Sequence, residues 1–307
     1  MSMDNKIVLY GGGKTADYIY SKYKDSIIGV IDNYKSGMFR RNVPYLSLED
    51  FQKRYFNTCV YISSIKYADQ MRKELEEAGI KYKLPDELFE DPNVHKDEEI
   101  CHENWMEYIR HLADFEGARI LEVGSRVQTG TNLRGLFKKA TYIGFDYYNG
   151  ENVDVVGDAH KLTSYFDDKF DLIFSSAVFE HLAMPWIVST EIIKLLKMGG
   201  HVFVETHYSY SSHERPWHFF QFSENALNVL FPECFGIECI KKGCSNLIRN
   251  GEFSETASDE LKGKMVSGLY CHSELLGKKV KELDEEEYDW RRCSLDDVVG
   301  ATRYPYH

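Results

Sequence analysis

The chain has 307 residues, 43% of them hydrophobic and 14% aromatic, enough for two modest cores and too apolar for a disordered polymer. Its net charge of −12, with no basic stripe, excludes a nucleic-acid-binding surface. No apolar run reaches membrane-spanning length and the opening MSMDNKIVLYGGG reads as a strand rather than a signal peptide, so a cytoplasmic protein is expected.

Residues 1–90 read as a small Rossmann-like α/β domain. Lys6–Tyr10 predicts a strand, Gly11-Gly12-Gly13 a turn, and the following residues a helix through Lys22. Ile27–Ile31 is a second strand closed by Asp32-Asn33, and Cys59–Ser63 is another. Tyr67–Ala78 is an amphipathic helix ended by Gly79. Such alternation predicts a parallel sheet covered by helices. Gly11, Gly13 and Ala16 spell GxGxxA after the first strand, and Asp32 ends the next, which is a nucleotide-binding fingerprint. The unit lacks the second mononucleotide half that a dinucleotide needs.

Pro85 and the polar run DELFEDPNVHKDEE mark a boundary, and residues 91–117 form a linker with a helix at Glu103–Phe115. Residues 118–280 predict a second α/β domain. Its strands are Arg119–Val123, Thr141–Phe145, Val153–Val156, Phe170–Phe174, His201–Glu205, Phe235–Lys241 and Met265–His272. Helices are expected between most of them, notably Pro185–Lys197, with another starting near Ser223 as N-cap. Seven strands at this spacing fit a doubly wound sheet. Gly243–Lys264 reads as an insertion or long loop, and residues 281–307 as an acidic tail. The seven cysteines contain no CxxC pair and read as free thiols.

The chemistry concentrates where the first strand of the second domain meets its loop. Gly124 lets the backbone approach a ligand closely, and Ser125, Arg126, Thr129 and Gly130 continue the turn into an expected helix. Glu122 sits at the strand end, placed to support the loop or to face an ammonium group. Asp146, with Tyr147 beside it, ends the second strand, where an acid accepts from both ribose hydroxyls. Asp158 ends the third and can accept from an adenine amino group, with Ala159 and His160 walling the ring. Together they predict a nucleoside site.

The segments LEVGSR–TGTNLR, YIGFD, VDVVGDAHKL, FDLIFSSAVFEHL and EIIKLLKMGGHVFVET resemble class I S-adenosylmethionine-dependent methyltransferases, in particular those that modify small molecules and sugars. The resemblance covers about residues 115–275. It implies S-adenosylmethionine as cofactor, held by Gly124, Asp146 and Asp158, with Ser175–Val178, including Ser176, flanking it. The central glycine of the family's first loop is replaced within SRVQTG. YGGGKTADYIYSKY, IIGVIDN and VPYLSLEDF resemble the small Rossmann-like domains of bacterial glycan-modifying enzymes and sugar acyltransferases. That similarity implies a sugar or nucleotide-sugar acceptor in a capsule or lipopolysaccharide pathway. The first domain would then contact a nucleotide-sugar through Gly11, Gly13 and Asp32, or be a scaffold that pairs subunits into a homo-oligomer.

Methyl transfer to a hydroxyl needs an aligned nucleophile and a base above the fourth and fifth strands. His181, after the fourth strand, and His218 are candidate bases, and His207 follows the fifth strand. Tyr208, Arg215 and Trp217 are expected to face the acceptor. Glu180-His181 also resembles methyltransferases that place a divalent metal near the acceptor, but too few oxygen ligands are identifiable and no metal is assigned. Two other readings stay open: a non-catalytic cofactor-binding or assembly protein, and an NAD(P)-binding oxidoreductase built on the first domain.

Overall fold

Short apolar runs, some of them closed by a glycine or an acid, form the strands of two separate sheets. The computed structural model describes residues 6–64, 67–83, 94–128, 132–248, 251–254, 256–262, 265–266, 269–294 and 296. The chain divides into two compact units, Met1–Pro92 with Leu247–Leu269, and Asn93–Asn246 with Tyr270–His307.

The first unit begins β1 (Ile7–Tyr10), α1 (Lys14–Tyr23), β2 (Ile27–Ile31), β3 (Met38–Arg40), β4 (Val43–Leu46), α2 (Leu48–Tyr55), β5 (Cys59–Ile62), α3 (Ala68–Glu77) and β6 (Tyr82–Lys83). The strands lie in the order β3-β4-β2-β1-β5-β6, all pairs parallel except β3 with β4. Leu9, Ile19 and Val30 pack one face, and Val8, Ile31 and Phe51 the other. The elements β3, β4, α2 and β6 go beyond the sequence expectation. Each strand among them is too short to show a period, and Pro44 interrupts the β4 signal. Ser47 nonetheless caps α2, its side chain accepting from the Asp50 N–H.

In the second unit come α4 (Trp105–Ala113), β7 (Arg119–Val123), β8 (Thr141–Asp146), β9 (Val155–Val156), β10 (Phe170–Ser176), α5 (Pro185–Leu195), β11 (Leu196–His207), α6 (Glu224–Leu230) and β12 (Ile237–Leu247). Two short strands, β13 (Gly251–Glu252) and β14 (Met265–Val266), pair antiparallel with each other and belong to the first unit. The last strand of the second unit is β15 (Tyr270–Lys279).

Its seven-stranded sheet runs β12-β15-β11-β10-β7-β8-β9. The strands β11-β10-β7-β8-β9 are parallel, and β15 inserts antiparallel beside β11. Strand order reverses between β7 and β10, so their carboxyl ends open the crevice where this class of sheet binds ligands. Leu121, Ile173 and Val204 pack one face, and Ile120, Leu172 and Phe203 the other, under Trp105 and Ile109 of α4. Both sheets are α/β and parallel-dominated, as the patterning predicts. Among the described residues, no helix is long and apolar enough to cross a membrane.

Four expectations need correction. The run expected as one strand at Met265–His272 is split: β14 ends at Val266, and the strand that joins the main sheet starts at Tyr270. The helix expected after the first loop is only a 3-10 turn at Leu133–Leu136 among the described residues. Gly135 weakens that turn, and Arg134 is drawn away to Asn152 and Asp154. Helices are also sparser than expected: the segment after β9 is another 3-10 turn, Ala159–Ser164. The start of the acidic tail is structured, with Leu283, Tyr288, Trp290 and Cys293 packed on the core near Phe235.

Candidate active site

Gly124 follows β7 at φ +86°, a conformation that favours glycine. A Cβ there would also lie 2.1 Å from Cγ2 of Val178, which presses on the loop from the end of β10. Val178 is delivered by Ala177, itself at φ +53° with its N–H donating to the Glu205 carbonyl. The two strand ends thus meet tightly at the point where the order reverses.

Glu122 points into the sheet beneath this loop and is buried. It accepts from the Tyr142 hydroxyl and, at 3.0 Å, from the Asn152 amide. Burial pushes its carboxyl up to about 7. Asn152 also donates to the Ser125 carbonyl, and its own carbonyl accepts from the Ser125 hydroxyl. The sequence offered no reason to single out Asn152, because its place in the site is set by a loop between strands. Its φ of +70° is a property of that loop. Through Asn152, Glu122 is thus joined to the loop at Ser125.

Asp146 stands at the tip of β8 with its side chain 13% exposed. One carboxylate oxygen accepts from the Tyr148 N–H at 2.9 Å and the other from the Arg126 N–H at 3.2 Å. The Arg126 guanidinium lies 3.6 Å away and over the Tyr148 ring. Tyr147 is largely exposed beside it. Asp158 caps the 3-10 turn that follows β9, accepting from the His160 N–H and from its ring Nδ1 at 2.7 Å. Burial raises the Asp158 carboxyl, but these bonds outweigh it and hold it below the usual range. His160 Nε2 in turn accepts from the Met184 N–H, and Ala159 opens the same turn. Ser176 donates to Glu205 at 2.9 Å. Thr129 and Gly130 lie outside the described residues.

Above the ends of β10 and β11 the expected histidines gather. His181 Nδ1 faces the Trp217 carbonyl at 2.8 Å and its Nε2 faces His213 Nε2 at 3.1 Å. His213 Nδ1 faces the Ser211 carbonyl at 2.9 Å. His218 Nδ1 accepts from the His213 N–H, which leaves its own proton on Nε2. Burial and the neighbouring His213 and His181 lower the His218 imidazole. His207 is buried, stacks on Tyr210 and has Nδ1 2.7 Å from Glu180 Oε1. That ring N–H is not aimed along the contact. Glu180 is fully buried, and its other oxygen accepts from Thr206 at 2.6 Å. Burial raises the Glu180 carboxyl, but His207 and Thr206 more than offset it, leaving it low.

Of the expected acceptor contacts, Trp217 is 61% exposed and edge-on to Phe219, while Arg215 is exposed and donates to Ser212. Tyr208 lies edge-on to Tyr270. A further cluster escaped the sequence reading. His102 Nδ1 meets Glu205 at 2.8 Å and its ring stacks on His272 of β15, which is paired in register with His207. The misplaced last strand hid this juxtaposition.

In the first unit, Asp32 accepts from the Gly12, Tyr34 and Lys35 N–H groups, and Lys35 donates to the Gly12 carbonyl. Gly11 is bound through its carbonyl by Ser63. Gly13 has no neighbour within 4 Å of a Cβ and an ordinary φ of −94°, so nothing in its surroundings requires glycine. The fingerprint residues are thus engaged with their own chain.

Comparison with solved structures finds likenesses to a SAM-dependent methyltransferase from Archaeoglobus fulgidus, with 18% identity, TM-score 0.42, and coverage of 56% of this chain and 90% of that one. A putative methyltransferase from Bacillus halodurans C-125 shares 14% identity at TM-score 0.43, over 58% of this chain and all of that one (100%). The YcgJ protein of Bacillus subtilis shares 18% at TM-score 0.42, over 59% and 100%. No protein of curated function matches the chain. Residues 96–233 match a family model described as a methyltransferase domain, and the second unit accordingly carries a methyltransferase domain.

Proposed function

We propose that the protein transfers a methyl group from S-adenosylmethionine to a hydroxyl of a sugar or nucleotide-sugar. The observation that carries the reading is Asp146 at the tip of β8, beside the tight Gly124 loop, at the point where strand order reverses. The residues fit the cofactor. Asp146 spends two acceptor positions on backbone N–H groups, and a carboxylate has about four, so two remain for ribose hydroxyls. Asp158 is similarly placed for the adenine amino group, and Tyr147 presents an exposed ring. When bound, S-adenosylmethionine supplies an electrophilic methyl on a cationic sulfur.

The chain's own contribution is alignment and proton removal. His181 has Nδ1 committed to the Trp217 carbonyl, so its basic Nε2 faces the cluster. That nitrogen can take the hydroxyl proton as the new C–O bond forms and the C–S pair returns to sulfur. His218, with its proton on Nε2, can donate to and orient an acceptor oxygen. The exposed rings of Trp217, Phe219 and Tyr210 support a sugar acceptor, whose apolar faces stack on aromatics.

Calorimetric titration with S-adenosylhomocysteine tests the cofactor site. Wild type should bind one equivalent, and Asp146→Ala should bind at least about ten-fold more weakly, the loss of two charge-assisted hydrogen bonds. Absence of binding to the wild type defeats the reading. Transfer of labelled methyl to a panel of nucleotide-sugars then tests the acceptor class.

A further inference from the structure

We infer that Glu180, His181 and His213 hold a divalent first-row metal ion at the acceptor end of the site. Three observations converge on it.

The first is the arrangement of the two rings. Both Nδ1 atoms face backbone carbonyls, of Trp217 at 2.8 Å and Ser211 at 2.9 Å, so both carry hydrogen there. This is the outer support that orients metal-binding imidazoles and leaves Nε2 as the ligand. Both Nε2 lone pairs then converge on one point, 3.1 Å apart. Two nitrogens bound at about 2.05 Å to one ion lie about 2.9 Å apart at a right angle and about 3.4 Å apart at the tetrahedral angle. The observed spacing falls between.

The second is proton accounting. With Nδ1–H on both rings, the neutral pair sets two lone pairs against each other. Something positive must sit between them, either one shared proton or a cation.

The third is Glu180. It is 0% exposed, and its Oε1 lies 2.7 Å from His207 Nδ1 without a well-aligned hydrogen bond. A carboxylate oxygen of Glu180 and one nitrogen from each ring all lie within 4.8 Å of one another. Thr206 holds the other oxygen, and His207 stands against the carboxylate as a second support. A fully buried carboxylate within reach of two imidazole nitrogens is a donor set that a cation would satisfy.

Two imidazoles and one carboxylate suit zinc and its first-row neighbours rather than magnesium or calcium, which demand more oxygen. Three protein ligands leave a position open, and His181 and His213 are only partly buried, so an acceptor oxygen can reach it. This deepens the methyl-transfer reading: the ion would take over from His181 the task of making the acceptor hydroxyl acidic. The binding claim itself does not depend on that reading.

The test uses the full chain, stripped with a chelator and titrated with Co²⁺ while visible absorption is followed, then with Zn²⁺ in competition. Wild type should take up one Co²⁺ with d–d bands and release it to one Zn²⁺. His213→Ala and Glu180→Gln should each weaken uptake at least about ten-fold, with circular dichroism showing that they remain folded. His102→Ala, in the neighbouring cluster, should bind Co²⁺ like wild type. Lack of saturable uptake by the wild type overturns the inference, as does undiminished binding by folded His213→Ala. So does a loss confined to His102→Ala, which would move the ion to the other cluster. S-adenosylhomocysteine titration of the same preparation separates the two ideas: cofactor binding without metal uptake leaves His181 as the base, and metal uptake without cofactor binding sinks methyl transfer alone.

Discussion

At the scale of single residues, the loop after β7 is governed by one steric fact and one buried charge. Gly124→Ala must place a Cβ at φ +86° and 2.1 Å from Val178 Cγ2. The variant should lose about 2 kcal/mol or more of stability in denaturant unfolding. Val178→Ala should recover only part, because it removes the clash and leaves the backbone strain; full recovery would refute the conformational argument. Glu122 behaves differently. Its carboxyl is pushed up to about 7 by burial, so between the ordinary carboxylate range and pH 7 the folded protein holds a proton that the unfolded chain releases. Stability should therefore fall as pH rises through that window, by at most roughly 3 kcal/mol from this group, and level off above it. Thermal melts of Glu122→Gln across the same range should show a shallower slope; an unchanged slope would assign it elsewhere. Residues at strand tips were legible in the sequence because position along a strand implies position in the crevice, as for Gly124, Asp146 and His207. Asn152, Glu205 and His102 were not, since their partners come from segments distant in the chain and no local spacing brings them together.

At the scale of elements, the strands with a clear apolar run were readable nearly to the residue, Arg119–Val123 among them. The short pieces β3 and β6 carry too few residues for a period, and Met265–His272 reads as one strand because its apolar Met265, Val266, Leu269 and Tyr270 lie close together in sequence. One junction was invisible for another reason: its key group is a charge inside the core. Lys279 ends β15 fully buried, and its ammonium donates to the carbonyls of Ile193 and Leu196 at the end of α5 and to Glu282. It thus caps a helix whose last carbonyls would otherwise lack donors. Burial lowers the Lys279 ammonium without removing these partners. Lys279→Met keeps the stem and discards the three bonds, and should cost about 2–4 kcal/mol in chemical denaturation. Cofactor titration should be unaffected, which separates this junction from the site.

At the scale of the whole chain, two sheets with different strand orders share one polypeptide, and the segment Leu247–Leu269 between β12 and β15 belongs to the first unit. The second unit is therefore discontinuous in sequence, and β15 is both its last strand and an interior one, between β11 and β12. During synthesis this sets an order of events. A ribosome that has made everything through β12 has released a sheet whose β11 edge is open and whose β12 has no neighbour. The hydrophobic Leu275 and Leu276, which fill opposite faces of the core, arrive only afterwards. Until Lys279 clears the exit tunnel, the nascent unit keeps an unpaired apolar edge for as long as the ribosome takes to translate the detour through the other unit.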